Sequence, residues 1–380
     1  MIDQHKETKD GVEDQPLTAR QLYQHDPLLV LLKDRWHLST VWICVGTILL
    51  PGSVFLGWWL GWVRMNSTWI VSDTLSILIQ TLILFPVIFL IYLRIPGSIA
   101  SLFNTLKANG VIGEPRKQVS GSKTYEAFVQ QMVRWMDNVG WTLAIVLLVA
   151  CYALYRLLIL EPASSSPVPY WMRVCAIVSY WPLMYVTGMS VLRILLALIF
   201  TNWLFYRFSL QVRPLHPDGA GGLGAMGNLL WMSVGIMLWE ALLLVASVLS
   251  RNLIWLSLSE MILLGAIYIA LTPALLIGWL LFPHAMMVKA RDEMLRPLTD
   301  AYQQAFLQSL SSHEYDTRSL VSATRRLTAL KQRYDLVHDA FPVWPLETGT
   351  LSRIAVTVIL PLLLPILTSL ITLALHPLGL

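Results

Sequence analysis

Glu240 is the side chain whose position most needs a reason. It stands in an apolar run, with Trp239 before it and Ala241-Leu242-Leu243-Leu244-Val245 after it. A carboxylate in hydrocarbon costs at least about 2.5 kcal/mol, so an ionisable residue at depth is a functional hypothesis with a partner to be named. Counted from the end of its run, Glu240 lies roughly 13 Å deep at 1.5 Å per residue. Arg156, nearer the same side of another run, has a side chain long enough to reach inward. Two chemistries follow. Arg156 and Glu240 form a structural ion pair, or Glu240 faces a water-filled path as a proton or cation site. Arg193 falls near the opposite surface, where a long cationic side chain can snorkel.

A second segment has a signature. It reads Arg213-Pro214-Leu215-His216-Pro217-Asp218-Gly219-Ala220-Gly221-Gly222-Leu223-Gly224. Gly219, Gly221 and Gly224 satisfy G-x-G-x-x-G, but a dinucleotide site needs that pattern inside a strand-helix-strand unit. Here apolar helical runs flank it, so the nucleotide reading is rejected. Pro217 stops the preceding helix, and Asp218 can accept from the free N–H groups of the next. A glycine-bearing helix start with Arg213 nearby can also hold an anion or a headgroup phosphate.

The His216–Gly224 segment, between a long helix and a further span, resembles a family of bacterial multi-pass membrane proteins carrying His-Pro-Asp-x-Ala-Gly-Gly-Leu-Gly. The resemblance runs on through the charged segment and Phe341-Pro342-Val343-Trp344-Pro345 into a proline-bearing last span. It implies a helical fold in a bacterial inner membrane and brings no activity with it. The x position is often basic in that family and is Gly219 here, which weakens phosphate binding.

Other chemistry finds no support. None of the eight histidines pairs as H-x-x-x-H or H-E-x-x-H, so neither zinc nor haem is indicated. Cys44, Cys151 and Cys175 lie in or beside apolar runs with no metal spacing. No serine stands in G-x-S-x-G and no Walker lysine is present. No catalytic residue, metal or cofactor is assigned; an enzyme stays open, and a non-enzyme is the favoured reading.

The elements that must position these residues are membrane helices. Hydrophobic residues make up 56% of 380 and charged residues 13%, roughly half the usual ~25% charge. A soluble surface, a disordered chain and a nucleic-acid-binding domain are excluded. A bilayer core takes about 20 apolar residues per helix, and seven runs qualify: 40–63, 74–93, 140–160, 172–200, 223–249, 258–284 and 354–376. Of 27 Lys and Arg, 23 fall in the N-tail and on that side of the spans; only Arg64, Arg156, Arg173 and Arg251 fall opposite. Positive residues stay inside, so the N-terminus is cytoplasmic and the C-terminus outside. Tryptophans cluster at both expected boundaries, as amphipathic rings do. Prolines at 51, 86, 182, 273, 361 and 365 mark breaks that line cavities in transporters.

The expected organisation is an all-α integral membrane protein with about seven spans. Residues 1–39 form a cytoplasmic tail with an interfacial helix over 18–37. Residues 40–284 form a six-helix membrane domain with a cytoplasmic loop at 94–139. Residues 285–353 form a cytoplasmic helical hairpin, and 354–380 hold the last span. One arm of the hairpin carries Leu295, Leu298, Tyr302 and Phe306. The other carries Leu327, Leu330, Tyr334, Val337 and Phe341 in heptad-like steps. The leading function is a channel or transporter for an ion or small solute. A membrane scaffold or sensor assembling through the hairpin, as a homo-oligomer or with another protein, is the first alternative. A lipid-modifying enzyme around His216 and Asp218 is the second. The bilayer is the partner in every case.

Overall fold

The computed structural model describes residues 16–65, 78–115, 124–160, 170–213, 216–249, 258–311 and 317–341. Of the described residues 85% are helical. Among the described residues, five helices are long and apolar enough to cross a membrane. The run at 354–376 lies outside the described residues.

The N-terminal segment packs one side onto the bundle, with Arg20, His25 and Trp36 left exposed on the other. A short helix, α1 (Pro27–Leu29), continues as a wide π turn through Arg35. Leu22, Leu29 and Leu32 are buried. The interfacial helix expected over 18–37 is seen as short helical turns whose Leu22, Leu29 and Leu32 pack on the bundle. Within the apolar stripe Leu28–Leu32, Leu29 and Leu32 enter the protein's own core, and Leu28, Val30 and Leu31 stay half-buried. Reciprocal bonds hold the segment down. Leu17 N donates to Asn104 Oδ1 at 2.9 Å, and Asn104 Nδ2 donates back to Leu17 O at 2.8 Å.

Helix α2 (Thr40–Met65) follows. A π turn over Gln80–Leu84 leads into α3 (Phe85–Ala108). The helix runs well beyond position 93, so the first part of the expected loop at 94–139 is helical, and Ile95, Ile99, Leu102, Phe103 and Leu106 bury one face of it. Pro86 is tolerated at the start of α3, where no N–H is required. Pro96 sits inside and withholds the N–H that would bond the Tyr92 carbonyl. One residue on, the Leu93 carbonyl accepts from Lys33 Nζ at 2.8 Å.

Helix α4 (Tyr125–Met136) buries Phe128, Met132 and Met136, four residues apart on one face. The Phe128 ring meets Trp203 at 5.7 Å and Phe200 and Phe208 at 6.0 Å, all edge-on, the arrangement that ring quadrupoles favour. After Asp137, Asn138 caps α5 (Val139–Tyr155), accepting from Gly140 N at 2.8 Å. Helix α6 (Tyr170–Arg207) has 38 residues, about 57 Å at 1.5 Å each, so it extends well past a ~30 Å hydrocarbon core. A short ribbon joins the ends of α3 and α6. Its strands, β1 (Ile112–Pro115) and β2 (Phe208–Leu210), pair antiparallel. This pairing satisfies backbone groups just outside the helices and is no parallel nucleotide-binding unit.

Helix α7 (Ala225–Leu249) packs on α3, and α8 (Leu258–Ser311) packs on α7 and α6. With 54 residues, α8 runs unbroken from the sixth apolar run into the charged segment. Helix α9 (Thr317–Ala340) folds back along it. On α9 the half-buried stripe is Ala323, Leu327, Leu330, Tyr334 and Val337. On α8 the seam differs from the expected one. Leu295 and Ala305 are buried and Leu298 and Ala301 half-buried, whereas Tyr302 and Phe306 are exposed. The small alanines are withdrawn from solvent, and the larger rings turn outward.

Candidate functional site

A cavity of about 270 Å³ lies among α5, α6, α7 and α8. Val149 and Ala153 of α5, Leu183 of α6, and Trp239 and Leu243 of α7 form its buried wall. Its polar end is built from three side chains. Tyr152 and Arg156 stand four residues apart, on one helical face, and Glu260 lies in the first turn of α8. The Tyr152 hydroxyl donates a short hydrogen bond to Glu260 Oε1. Arg156 Nη1 lies 3.4 Å from the Tyr152 hydroxyl and 3.8 Å from Glu260 Oε1. Arg156 and Glu260 are both buried.

This arrangement corrects the expected Arg156–Glu240 pair: the ion pair seen is Arg156 with Glu260. Arg156 follows the last turn of α5 at the level where α8 begins, whereas Glu240 sits several turns inside α7. Glu240 is 6% exposed and faces the protein interior. Trp239 and Leu243 beside it line the cavity, but Glu240 does not. Glu260 went unnoticed in the sequence because it borders an apolar run, where an acid looks like an ordinary flank.

A second charged group lies deeper in the bundle. Asp26 is 1% exposed and Arg193 2%. The Asp26 carboxylate accepts from five donors. Leu28 N at 3.1 Å, Leu29 N at 3.2 Å and the Tyr185 hydroxyl at 3.0 Å bond Oδ1. The Tyr92 hydroxyl at 2.6 Å and Arg193 Nη2 at 2.8 Å bond Oδ2. The guanidinium also lies 5.5 Å from the centre of the Tyr92 ring, a cation–π distance. Arg193 therefore does not snorkel. It turns inward because the folded-back N-terminal segment brings a counter-ion to it. Two further contacts tie that segment to the start of α5. His25 Nδ1 lies 2.7 Å from Asp137 Oδ2, and Thr142 Oγ1 donates to His25 O at 3.4 Å. Burial pushes the nearby Lys33 ammonium down from its ordinary value, opposed in part by Asp34.

The glycine loop is organised around Asp218. Its Oδ1 accepts from Ala220 N and Gly222 N, each at 3.0 Å, and its Oδ2 from Gly224 N at 2.9 Å. His216 Nδ1 lies 2.8 Å from Oδ1. Burial alone would raise this carboxyl. The backbone donors of Gly222, Gly224 and Ala220, with His216, outweigh that and hold it below the ordinary value. Gly219, Gly221 and Gly222 have φ of +63°, +66° and +95°, the region open to glycine at little cost. The Asp218 side chain thus gathers a whole loop and reaches only to Gly224, just before α7. It is a loop organiser more than a simple N-cap. Its four partners match the roughly four lone-pair directions of a carboxylate, so Asp218 is fully engaged in holding the loop.

Among the described residues, no group of three His, Cys, Asp or Glu side chains is placed to hold a metal ion. No family model, no curated protein and no solved structure matches the chain. The class is therefore defined by the helices themselves: a mostly helical protein with several helices suited to a membrane.

Proposed function

We propose that the protein transports a small solute across a bacterial cytoplasmic membrane, with the cavity among α5, α6, α7 and α8 as its binding chamber. One observation carries this reading: buried Arg156 and Glu260, with half-buried Tyr152, open onto a cavity instead of filling a packed core. A buried ion pair is often no better for stability than apolar residues of the same volume. Its placement at an open wall among apolar helices is what binding would require. Glu240, one helical turn from the cavity wall, is an adjoining residue of the same path and not its first contact. The orientation follows the Lys and Arg asymmetry, N-terminus inside and C-terminus outside. Proteoliposomes tested for solute and ion flux under an imposed gradient check the reading. Flux that falls at least tenfold in Glu260→Gln, with unchanged insertion and folding, is expected. Absence of flux under every gradient and voltage overturns it.

A second reading, assembly through the α8–α9 arm, is favoured by one observation: Tyr302, Phe306 and Leu310 are exposed along α8. Light scattering of the purified protein and of Phe306→Ser tests it. A loss of higher-order mass in the variant supports assembly, and a monomer in both excludes it.

A further inference from the structure

We propose that Glu240 of α7, with Tyr268 of α8, is a proton-binding site, and that the protein moves its solute together with a proton bound there. The site stands on its own geometry. The coupling rests on the transport proposed above and adds the second ion.

The site lies between two helix faces. Met237 and Glu240 are three residues apart on α7, and Tyr268 and Thr272 four apart on α8, so each pair shares a face. Thr272 Oγ1 donates to Met237 Sδ at 3.1 Å, which sets the two faces against each other. Glu240 is 6% exposed and Tyr268 2%. Among the described residues no hydrogen bond and no charged side chain of α3, α6 or α8 acts on the Glu240 carboxyl; burial alone does. The Tyr268 hydroxyl is buried with no hydrogen-bond partner among the described residues. It stands near enough to feel a charge on Glu240. Trp239, next to Glu240, offers no donor, because its indole N–H is spent on the Leu84 carbonyl at 2.7 Å.

A proton is the ligand that answers this arrangement. A buried carboxylate with no counter-charge is costly. A hard metal cation would take about six or more oxygens, more than Glu240, Tyr268 and Thr272 supply. One proton removes the charge and makes the carboxyl a donor, which the Tyr268 oxygen can accept. Without that proton the Tyr268 hydroxyl can donate to the carboxylate instead. Each protonation state thus has a bond available, which suits reversible binding. The place suits coupling. Trp239 and Leu243 of α7, and Leu264 and Ile267 of α8, line the cavity, so Glu240 and Tyr268 lie directly behind its wall. An occupant pressing on that wall alters the spacing of the two groups and with it the hold on the proton. By linkage the proton alters the hold on the occupant equally.

The test treats the full-length protein in phosphatidylcholine nanodiscs with dicyclohexylcarbodiimide, an apolar reagent that attacks protonated carboxyls, and maps adducts by mass spectrometry. An adduct is expected on the peptide carrying Glu240, falling as pH rises and absent in Glu240→Gln. Tyr268→Phe removes the hydroxyl that can donate to the carboxylate, so labelling should persist to higher pH. Should Glu240→Gln fail to fold, Glu240→Asp keeps the carboxyl and should label with a displaced pH profile. Sodium chloride in place of potassium chloride should give no protection. In the flux assay above, a pH gradient should drive flux, and Glu240→Gln should cut that response at least tenfold. No adduct at Glu240 at any pH, or protection by sodium, overturns the proton site. Flux indifferent to the pH gradient overturns the coupling. Labelling that titrates, with no flux under any gradient, would leave the proton site standing and remove the transport reading.

Discussion

Removing Asp26 should destabilise the protein more than any other single change of a tail residue. Its carboxylate is buried and takes five donors from three separate parts of the chain. Truncation to alanine strands the Arg193 guanidinium, whose Nε and Nη1 already have no hydrogen-bond partner among the described residues. Breaking one side of a buried pair costs about 3–5 kcal/mol. Loss of the Asp26 bonds to Leu28 N and Leu29 N adds about 1 kcal/mol, as for an N-cap. These effects share one side chain and do not add fully, so a total of about 4–5 kcal/mol is expected. Tyr92→Phe and Tyr185→Phe each remove one bond to a charged group and should cost about 1.5–3 kcal/mol. The double change Asp26→Leu with Arg193→Met should recover more than half of the single loss, because no uncompensated charge remains. Reversible unfolding in mixed detergent micelles, followed by tryptophan fluorescence, measures all of these. A cost for Asp26→Ala below about 1 kcal/mol, or a double variant no better than the singles, would refute the account of a charge pair held inside the bundle.

Asp218→Ala should cost about 2–3 kcal/mol, above the ~1 kcal/mol of a simple cap, because three backbone N–H groups lose their acceptor; the same unfolding assay reads it. The folded carboxyl of Asp218 lies below its unfolded value of 3.8, so its contribution is complete above that pH and is lost as pH falls through the lower folded value. Asp218→Asn should flatten this part of the stability profile between neutral and acid pH. Gly222→Ala places a Cβ 2.5 Å from Val111 Cγ2 at a φ of +95°. Left-handed strain and overpacking together should cost about 2–4 kcal/mol, visible as a lowered unfolding midpoint. Leu330→Asp puts a charge into the α8–α9 seam and should open the α9 end to limited proteolysis while residues 16–249 stay protected.

Local signals were readable in the sequence and distant partnerships were not. The stripe Leu327, Leu330, Tyr334 and Val337 was visible because heptad spacing repeats within a few residues. Its counterpart on α8 differs because the periodicity favours the large side chains Tyr302 and Phe306, while the positions withdrawn from solvent are Ala301 and Ala305. Glu240 could be placed in the interior from its apolar neighbours alone. The partner of Arg156 could not be read, since which helix end stands beside it depends on packing. Asp26 gave no warning. It is one acid among several in a polar tail, and its hydroxyl partners lie 66 and 159 positions away. The Asp218 loop was legible as a turn because all its bonds fall within six residues. The extent of its reach was hidden, because a capping rule considers only the next two or three N–H groups.

The unbroken course of α8 has a mechanical consequence. Its 54 residues make a rod about 81 Å long at 1.5 Å per residue. Glu260, in its first turn, is at one extremity and Ser311 at the other. Such a rod is a lever. A tilt of about 5° at the Glu260 end swings the far tip by about 7 Å, more than one helical pitch. Pro273, Pro283 and Pro297 set the places where bending concentrates, so the stroke is divided among three joints. Helix α9, fastened along the outer half, travels with it. Any tilt at the Glu260 end would thereby displace the large charged arm at the other, with no relay of small adjustments in between.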